Sequence, residues 1–432
     1  MRKLLGLAEL GFTIVSLLLS TGALLPVILS GGASQGDGGP EVTDYPLIQL
    51  FFLLNYVVTF FLLVARWKKV IYLLSKDKFI WVLVGLAVVS IFWSYAPAMT
   101  LRRSIALVGT TLFGLYLATR YSLRQQLQLL GWMFGISVVL SLLFVVALPK
   151  YGIMGGIHAG SWRGIYLHKN VLGSMMAESA IIFWLLVTGT QKKRVLLWGG
   201  FSFSVILLIL STSKSPLVNL VQILATFFAL RALRWRYELM VPALIAIATV
   251  GGSLSVLFTT NADALLGSIG KDATLTGRTD LWPYVLEMIA KRPWLGYGYS
   301  GFWLGLDGES AYVWRATGWT PPHAHNGLLD LWLDLGLLGV SIFLLGFGAS
   351  LLRALAWVRL SKTSEGFWPM LYLTFFVLSN LTESALLKQN ALIWILYVST
   401  VLSMHILPER QTNVFDNMPN QKITVSSHHS TS

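Results

Sequence analysis

Apolar runs of about 18 residues or more recur along nearly the whole of this 432-residue chain. A run of that length is long enough to cross the hydrocarbon of a bilayer as a helix, which satisfies every backbone N–H and C=O internally. Such runs cover residues 4–29, 47–65, 79–95, 104–119, 129–148, 171–188, 196–211, 217–230 and 239–258, then 326 onward, 367–386 and 391–407. The expectation is an all-α polytopic membrane protein with about twelve transmembrane helices. Hydrophobic residues make up 55% of the chain and charged residues only 12%, far from the proportions of a water-soluble domain. The first run follows Arg2 and Lys3 and is too long for the core of a signal peptide. No small-residue cleavage site follows it, so it is read as an uncleaved helix.

Between runs nine and ten lies one long hydrophilic stretch, residues 259–325. The chain therefore divides into spans 1–9 over residues 1–258, an outward-facing loop over 259–325 and spans 10–12 over 326–407. A polar tail, rich in Ser, Thr and Asn, follows over 408–432 and is expected to be disordered. Most of the 32 Lys and Arg residues fall in loops on the N-terminal side, which makes that side cytoplasmic. Both termini then lie in the cytoplasm and the long loop lies outside it. The net charge of +13 does not point to nucleic acid, because the charges sit at helix ends. With no cysteine, the chain has no disulfide framework and no thiolate metal site.

Orientation bias should remove cations from the outer loops, so those that remain are informative: Arg102, Arg103, Arg163, Lys169, Lys214, Arg278 and Arg292. Each falls near the outer end of a helix. Arginine forks bind phosphate oxygens bidentately, so such a set suits a diphosphate, with anionic headgroups as the plainer alternative. The stretch Pro321-Pro322-His323-Ala324-His325-Asn326-Gly327 enters the tenth run, with Asn326 as its N-cap. A histidine there could act as general base on an incoming hydroxyl. Asp330 and Asp334 share a helix face in the outer half of that run, where carboxylates are costly, and their expected partners are the outward arginines. Glu383, near the outer end of the eleventh run, is placed similarly. Asp307 and Glu309 could chelate a hard cation or simply form a solvated turn. From Leu281 onward, helical spacing of apolar residues predicts an amphipathic helix at the outer interface, ending near Lys291. Trp294, Trp303, Trp314 and Trp319 crowd the segment after it and could stack on sugar rings, or simply mark the membrane interface.

These motifs in this order resemble the O-antigen ligase and polysaccharide polymerase superfamily of bacterial inner membranes. The residues that carry the resemblance are Trp162-Arg163-Gly164 with His168-Lys169-Asn170, Gly277-Arg278 with Trp282, and Arg292-Pro293 with Gly296-Tyr297-Gly298. His323-Ala324-His325-Asn326-Gly327, leading into Leu335-Gly336-Leu337-Leu338-Gly339, completes the set. The Trp-Arg-Gly and His-Lys-Asn forms look most like the exopolysaccharide polymerase branch. Asp334 stands where that family usually carries glutamate. The resemblance implies a GT-C-like glycosyltransferase of the inner membrane with its active site on the periplasmic face. It implies an undecaprenyl-diphosphate-linked donor, a sugar hydroxyl as acceptor, and inverting chemistry without metal or cofactor. A chain-length regulator is a further possible partner. By the same resemblance Arg163 and Arg278 bind the diphosphate, Lys169, Lys214, Arg102 and Arg103 are further candidates, and His325 is the base with His323 behind it. Asp330, Asp334 and Asn326 would support that site. Polymerase and ligase both fit. A translocator of lipid-linked sugars fits less well, because the charges cluster at helix ends rather than at midplane.

Overall fold

The computed structural model describes residues 2–33, 45–234, 238 and 278–406, and among them the protein is all-helical apart from an isolated antiparallel bridge between Ile153 and Trp162. The first half runs α1 (Arg2–Ser20), α2 (Leu25–Leu29), α3 (Pro46–Val64), α4 (Trp67–Lys76), α5 (Lys78–Val89), α6 (Pro97–Arg120), α7 (Leu123–Ala147) and α8 (Pro149–Gly152). Then come α9 (Lys169–Gly189), α10 (Arg194–Leu210), α11 (Lys214–Ala232), α12 (Arg278–Lys291), α13 (Ser310–Thr317), α14 (Gly327–Leu360), α15 (Trp368–Asn380) and α16 (Leu392–Ser403). Among the described residues six helices are long and apolar enough to cross a membrane: α1, α3, α7, α9, α11 and α14. The ninth expected span, 239–258, and the tail from 408 fall outside the described residues.

Helix α3 shows what solvent the bundle was built for. Its buried residues are Ile48, Phe52, Asn55, Thr59 and Leu63, while Leu50, Phe51, Leu53, Phe60 and Phe61 are exposed. The polar pair faces inward, where Thr59 Oγ1 donates to Asn55 Oδ1 at 3.2 Å, and the large apolar side chains face out. In water that arrangement would be inverted; in lipid it leaves every polar group with a partner. Local sequence starts the helices cleanly. Asp77 caps α5 by accepting from Ile80 N, and Ser122 with Gln125 forms a capping box on α7. Glu9 on α1 closes one end of the bundle by pairing with Arg66 at 2.5 Å and Arg120 at 3.2 Å, and accepting from Tyr116 Oη.

The helices differ from the apolar runs in three places. The first run is not one helix: the chain turns at Gly22 and Leu24, both at positive φ, and Leu24 N donates to Ile165 O. The basic stretch 66–78, between the second and third runs, holds α4. Helix α6 begins at Pro97, before the apolar run at 104, so Arg102 and Arg103 sit on its second turn.

The tenth run also differs. Helix α14 is broken at Gly336, whose φ of 66° and ψ of −170° lie outside helical space. The break leaves Leu333 O and Leu337 N without each other. The segment after α12 supplies both partners: Tyr297 N donates to Leu333 O at 2.7 Å, and Leu337 N donates to Pro293 O at 2.7 Å. Approach is so close that a Cβ on Gly336 would lie 2.1 Å from Trp294 O, and one on Gly296 would lie 2.4 Å from Leu333 O. The 24 residues after the break span about 36 Å and suffice to cross a bilayer unaided. Asp330 and Asp334, on the nine residues before the break, need not enter hydrocarbon, which removes the cost expected for them.

Candidate active site

The loop 319–326 is folded by its own polar atoms. His325 adopts φ 52°, a left-handed conformation uncommon for a side chain of its size. Two bonds hold that bend: His325 N donates to His323 Nδ1 at 3.1 Å, and the buried Ala324 N donates to Asp330, 3.1 Å from each carboxylate oxygen. Ala324 O in turn accepts from Trp282 Nε1 at 3.0 Å, which ties α12 to the loop. Asn326 caps α14 as expected, accepting from Leu328 N and Leu329 N. The imidazoles of His323 and His325 lie 4.2 Å apart between centroids, and Trp319 stacks on the other side of His325 at 6.0 Å.

Gly327 brings a carboxylate to these rings. With no side chain there, the first turn of α14 packs onto the end of α15; a Cβ would lie 2.2 Å from Asn380 Oδ1. Asn380 Oδ1 also accepts from Ala385 N, so the connection after α15 folds back toward the histidines. Glu383 Oε2 then sits 3.8 Å from His325 Nδ1 and 3.8 Å from His323 Nε2. That distance suits an ion pair rather than a hydrogen bond.

His323 opens onto a cleft of about 390 Å³. Asp330, Asp334, Trp303, Trp314, Tyr299 and Gln389 line it, and among the described residues its cations are Arg103 and Lys388. Trp303 Nε1 donates to Asp330 Oδ1 at 2.7 Å and Trp314 Nε1 to Pro321 O at 2.9 Å. Arg103 arrives from α6, where successive side chains diverge by about 100°. It lines the cleft whereas Arg102 does not; Arg102 is exposed, with Nη2 3.2 Å from Met99 Sδ.

Arg163 is placed elsewhere and does other work. Its side chain is wholly buried, and its guanidinium donates to five carbonyls: those of Tyr151, Ala33, Leu167, Gly32 and Lys150, at 2.6–3.4 Å. Burial pulls its pKa below the ordinary guanidinium value. A fork so occupied clamps the 150–167 loop to the chain around Gly32, and it has no donor left for a phosphate. Lys169 Nζ lies 3.3 Å from Thr212 Oγ1, and Lys214 starts α11 nearby; neither lines the cleft. The sequence therefore grouped as one cationic set residues that the fold separates into two places. Arg292 is not in the cleft either: it donates to Tyr95 Oη at 2.9 Å and covers that ring. For Arg278 the backbone opens α12, one turn before Trp282 and so beside the histidine loop, while its side chain lies outside the described structure.

Sequence reasoning missed Lys388, which follows a short apolar stretch like many solvated lysines and carries no motif. It noted Glu383 but had no means of pairing it with His325, since only the Gly327 contact brings them together. His323, His325 and Glu383 offer ligand atoms within 4.8 Å of one another, a spacing that could hold a metal ion. Among the described residues no third ligand joins Asp307 and Glu309.

Comparison with known proteins bears out the resemblance drawn from the motifs. The O-antigen ligase family model matches residues 199–344, which take in α12, the segment 292–318, the histidine loop and the break in α14. The exopolysaccharide production protein ExoQ of Rhizobium meliloti (strain 1021) is 25% identical over 305 residues, covering 68% of each chain. A membrane enzyme of polysaccharide processing is what these matches support.

Proposed function

We propose that this chain is an inverting glycosyltransferase that polymerises a polysaccharide from undecaprenyl-diphosphate-linked units on the periplasmic face of the inner membrane. The observation that carries this reading is the histidine–carboxylate pair beside a cleft holding both cations and indoles. In the proposed reaction an acceptor hydroxyl oxygen forms a bond to the anomeric carbon of the donor. The bond from that carbon to the diphosphate oxygen breaks, and its electron pair leaves with the diphosphate. The hydroxyl proton passes to His325. Its Nδ1 faces Glu383, which leaves Nε2 for the acceptor and sets a carboxylate against the imidazolium that forms. Arg103, Lys388 and Arg278 are the cations proposed to receive the negative diphosphate. Asp330 and Asn326 hold the loop rather than meet the substrate, and His323 holds the backbone of His325. One displacement inverts the linkage.

A second reading, ligation of the glycan to a lipid-anchored sugar, is favoured by the description of the matching family. It uses the same chemistry with a different acceptor. The deciding experiment supplies purified protein in lipid nanodiscs with lipid-linked repeat units, with and without a lipid A-core acceptor. Polymer from repeat units alone supports polymerisation; product only when the core is present supports ligation. His325→Ala is expected to slow either product ~10²- to 10⁴-fold while donor binding persists. Turnover is expected to continue in excess chelator. Loss in chelator with recovery on added divalent metal would turn His323, His325 and Glu383 into ligands and overturn the general-base reading. Near-normal transfer by His325→Ala, or retention at the new linkage, would overturn it as well.

A further inference from the structure

We infer that the cleft contains a sugar-ring subsite for the acceptor glycan, with Trp303 and Trp314 as its stacking surface and Asp334 and Gln389 as its hydrogen-bonding edge. The two tryptophans come from the outer segment 299–317 and are half-buried. Both indole N–H groups are already engaged, at Asp330 and at Pro321 O, so the rings are fixed and what they offer a ligand is an apolar face. Trp314 is fixed on a second side as well, its ring edge lying over Gly305, where a Cβ would come within 3.2 Å. Interfacial tryptophans that merely anchor a protein in lipid have no need of such pinning, nor of a carboxylate lining the same cavity.

Asp334 adds a carboxylate to the lining, an acceptor to which a sugar hydroxyl can donate. Gln389 is buried and lies 2.9 Å from the hydroxyl of Tyr299, which itself donates to Leu387 O at 2.5 Å. An amide held in that way can bond a hydroxyl of either polarity. A flat apolar face ringed by hydroxyls is the shape of a pyranose, and about 390 Å³ is at the small end of ligand cavities.

The origin of the lining residues says which glycan sits there. Cations enter the cleft from α6 as Arg103 and from the connection after α15 as Lys388. The indoles and Asp334 enter from the outer segment and from α14 before its break. Asp330 and Asp334 disfavour a diphosphate on their part of the cleft, so the anionic end of a donor belongs with Arg103 and Lys388. A neutral ring on the tryptophans then lies on the side of His323 and, behind it, His325, where an attacking hydroxyl is needed. The position relative to the base rests on the glycosyltransferase reading; the glycan binding does not.

The test uses full-length protein in nanodiscs and, as probe, the carrier-free glycan released by mild acid from the organism's own undecaprenyl-linked pool. Binding is read by saturation-transfer NMR and by tryptophan fluorescence. Wild-type and His325→Ala protein are expected to bind the probe alike. Trp314→Leu keeps bulk but removes the π face and is expected to weaken Kd at least about fivefold, whereas Trp314→Phe keeps most of the affinity. Thermal unfolding of both variants confirms that the comparison is between folded proteins, and Asp334→Asn is the independent arm should Trp314→Leu fail to fold. Equal binding by wild type, Trp314→Leu and Asp334→Asn overturns the subsite, whatever the transfer assay gives. Tryptophan-dependent binding in a protein that makes no polymer or ligated product keeps the subsite and removes the transferase reading instead.

Discussion

Glu383 and Arg163 exchange the roles that their side chains would suggest in isolation. A carboxylate near a helix end is usually a solvated charge, yet Glu383 stands 3.8 Å from both imidazoles. An arginine in an outer loop is a natural phosphate ligand, yet Arg163 is a buried clamp on five carbonyls. Each placement has a measurable consequence. Glu383→Gln keeps size and removes the charge that faces the imidazolium, so kcat should fall roughly 10- to 100-fold, in line with ~1.5–3 kcal/mol for a charge-assisted contact, with little change in KM. An unchanged kcat would free Glu383 from any positioning role. Arg163→Lys offers three donors along one stem in place of a planar fork, and it leaves buried carbonyls unsatisfied. The expected cost is roughly 2–4 kcal/mol of stability, seen as a lower Tm and less folded protein, with near-normal turnover by what remains folded. A stable Arg163→Lys protein with turnover reduced tenfold or more would return Arg163 to the diphosphate.

Helix α14 is two helices joined at Gly336. The segment before Gly336 carries Asn326, Asp330 and Asp334, and the segment after it crosses the bilayer. Between them the turn segment 293–297 inserts and takes over the broken backbone bonds. Tyr297 fixes that segment from its other side by donating to Met288 O at 2.8 Å, and burial pushes its hydroxyl pKa up to about 12, so the donor persists at any physiological pH. In the Leu335-Gly336 sequence the glycine is the break itself, with its backbone against that of Trp294. Gly336→Ala would add a Cβ where Trp294 O lies 2.1 Å away, on top of about 1–2 kcal/mol for a left-handed φ. The break should shift or the protein should lose stability, and the histidine loop should lose its register against α12. We expect lowered Tm together with loss of transfer. Wild-type Tm and rate in Gly336→Ala would mean that the helix tolerates running straight and that the motif has another purpose.

Among the described residues most ionic groups lie toward the two ends of an apolar bundle, with Glu178 in the middle of α9 as an exception. Helix α6 shows this most directly: Arg103 lines the cleft at one end, and Arg120 pairs with Glu9 at the other. Seventeen residues separate them, about 26 Å along the helix, close to the thickness of the hydrocarbon layer. The second polar group, Lys169 with Thr212 and Lys214, begins α9 and α11, and the Arg163 clamp holds the loop just before it. The cytoplasmic assignment of the Glu9 end rests on the distribution of Lys and Arg. A reporter active only outside the cytoplasm, fused after Gly318, should be on, and one fused after Lys193 should be off. The reverse pattern would place the cleft in the cytoplasm and rule out a periplasmic donor.

Long apolar runs determined helix and membrane from sequence alone, because in hydrocarbon a backbone has few other ways to pair its polar groups. The N-cap at Asn326 and the amphipathic helix after Leu281 were equally legible, since each depends on residues within a few positions of one another. Close approaches between distant segments were not. Gly327 against Asn380, and Gly336 against Trp294, read in sequence only as glycines, yet these contacts bring Glu383 to His325 and cut α14 in two. Lys388 became part of the cleft, and Arg163 was withdrawn from it, for the same reason: a cation's role is set by which acceptors the fold places within 3 Å of it. Charge pattern along the chain reports which side of the membrane a residue occupies, and only packing decides whether its hydrogen bonds are already made.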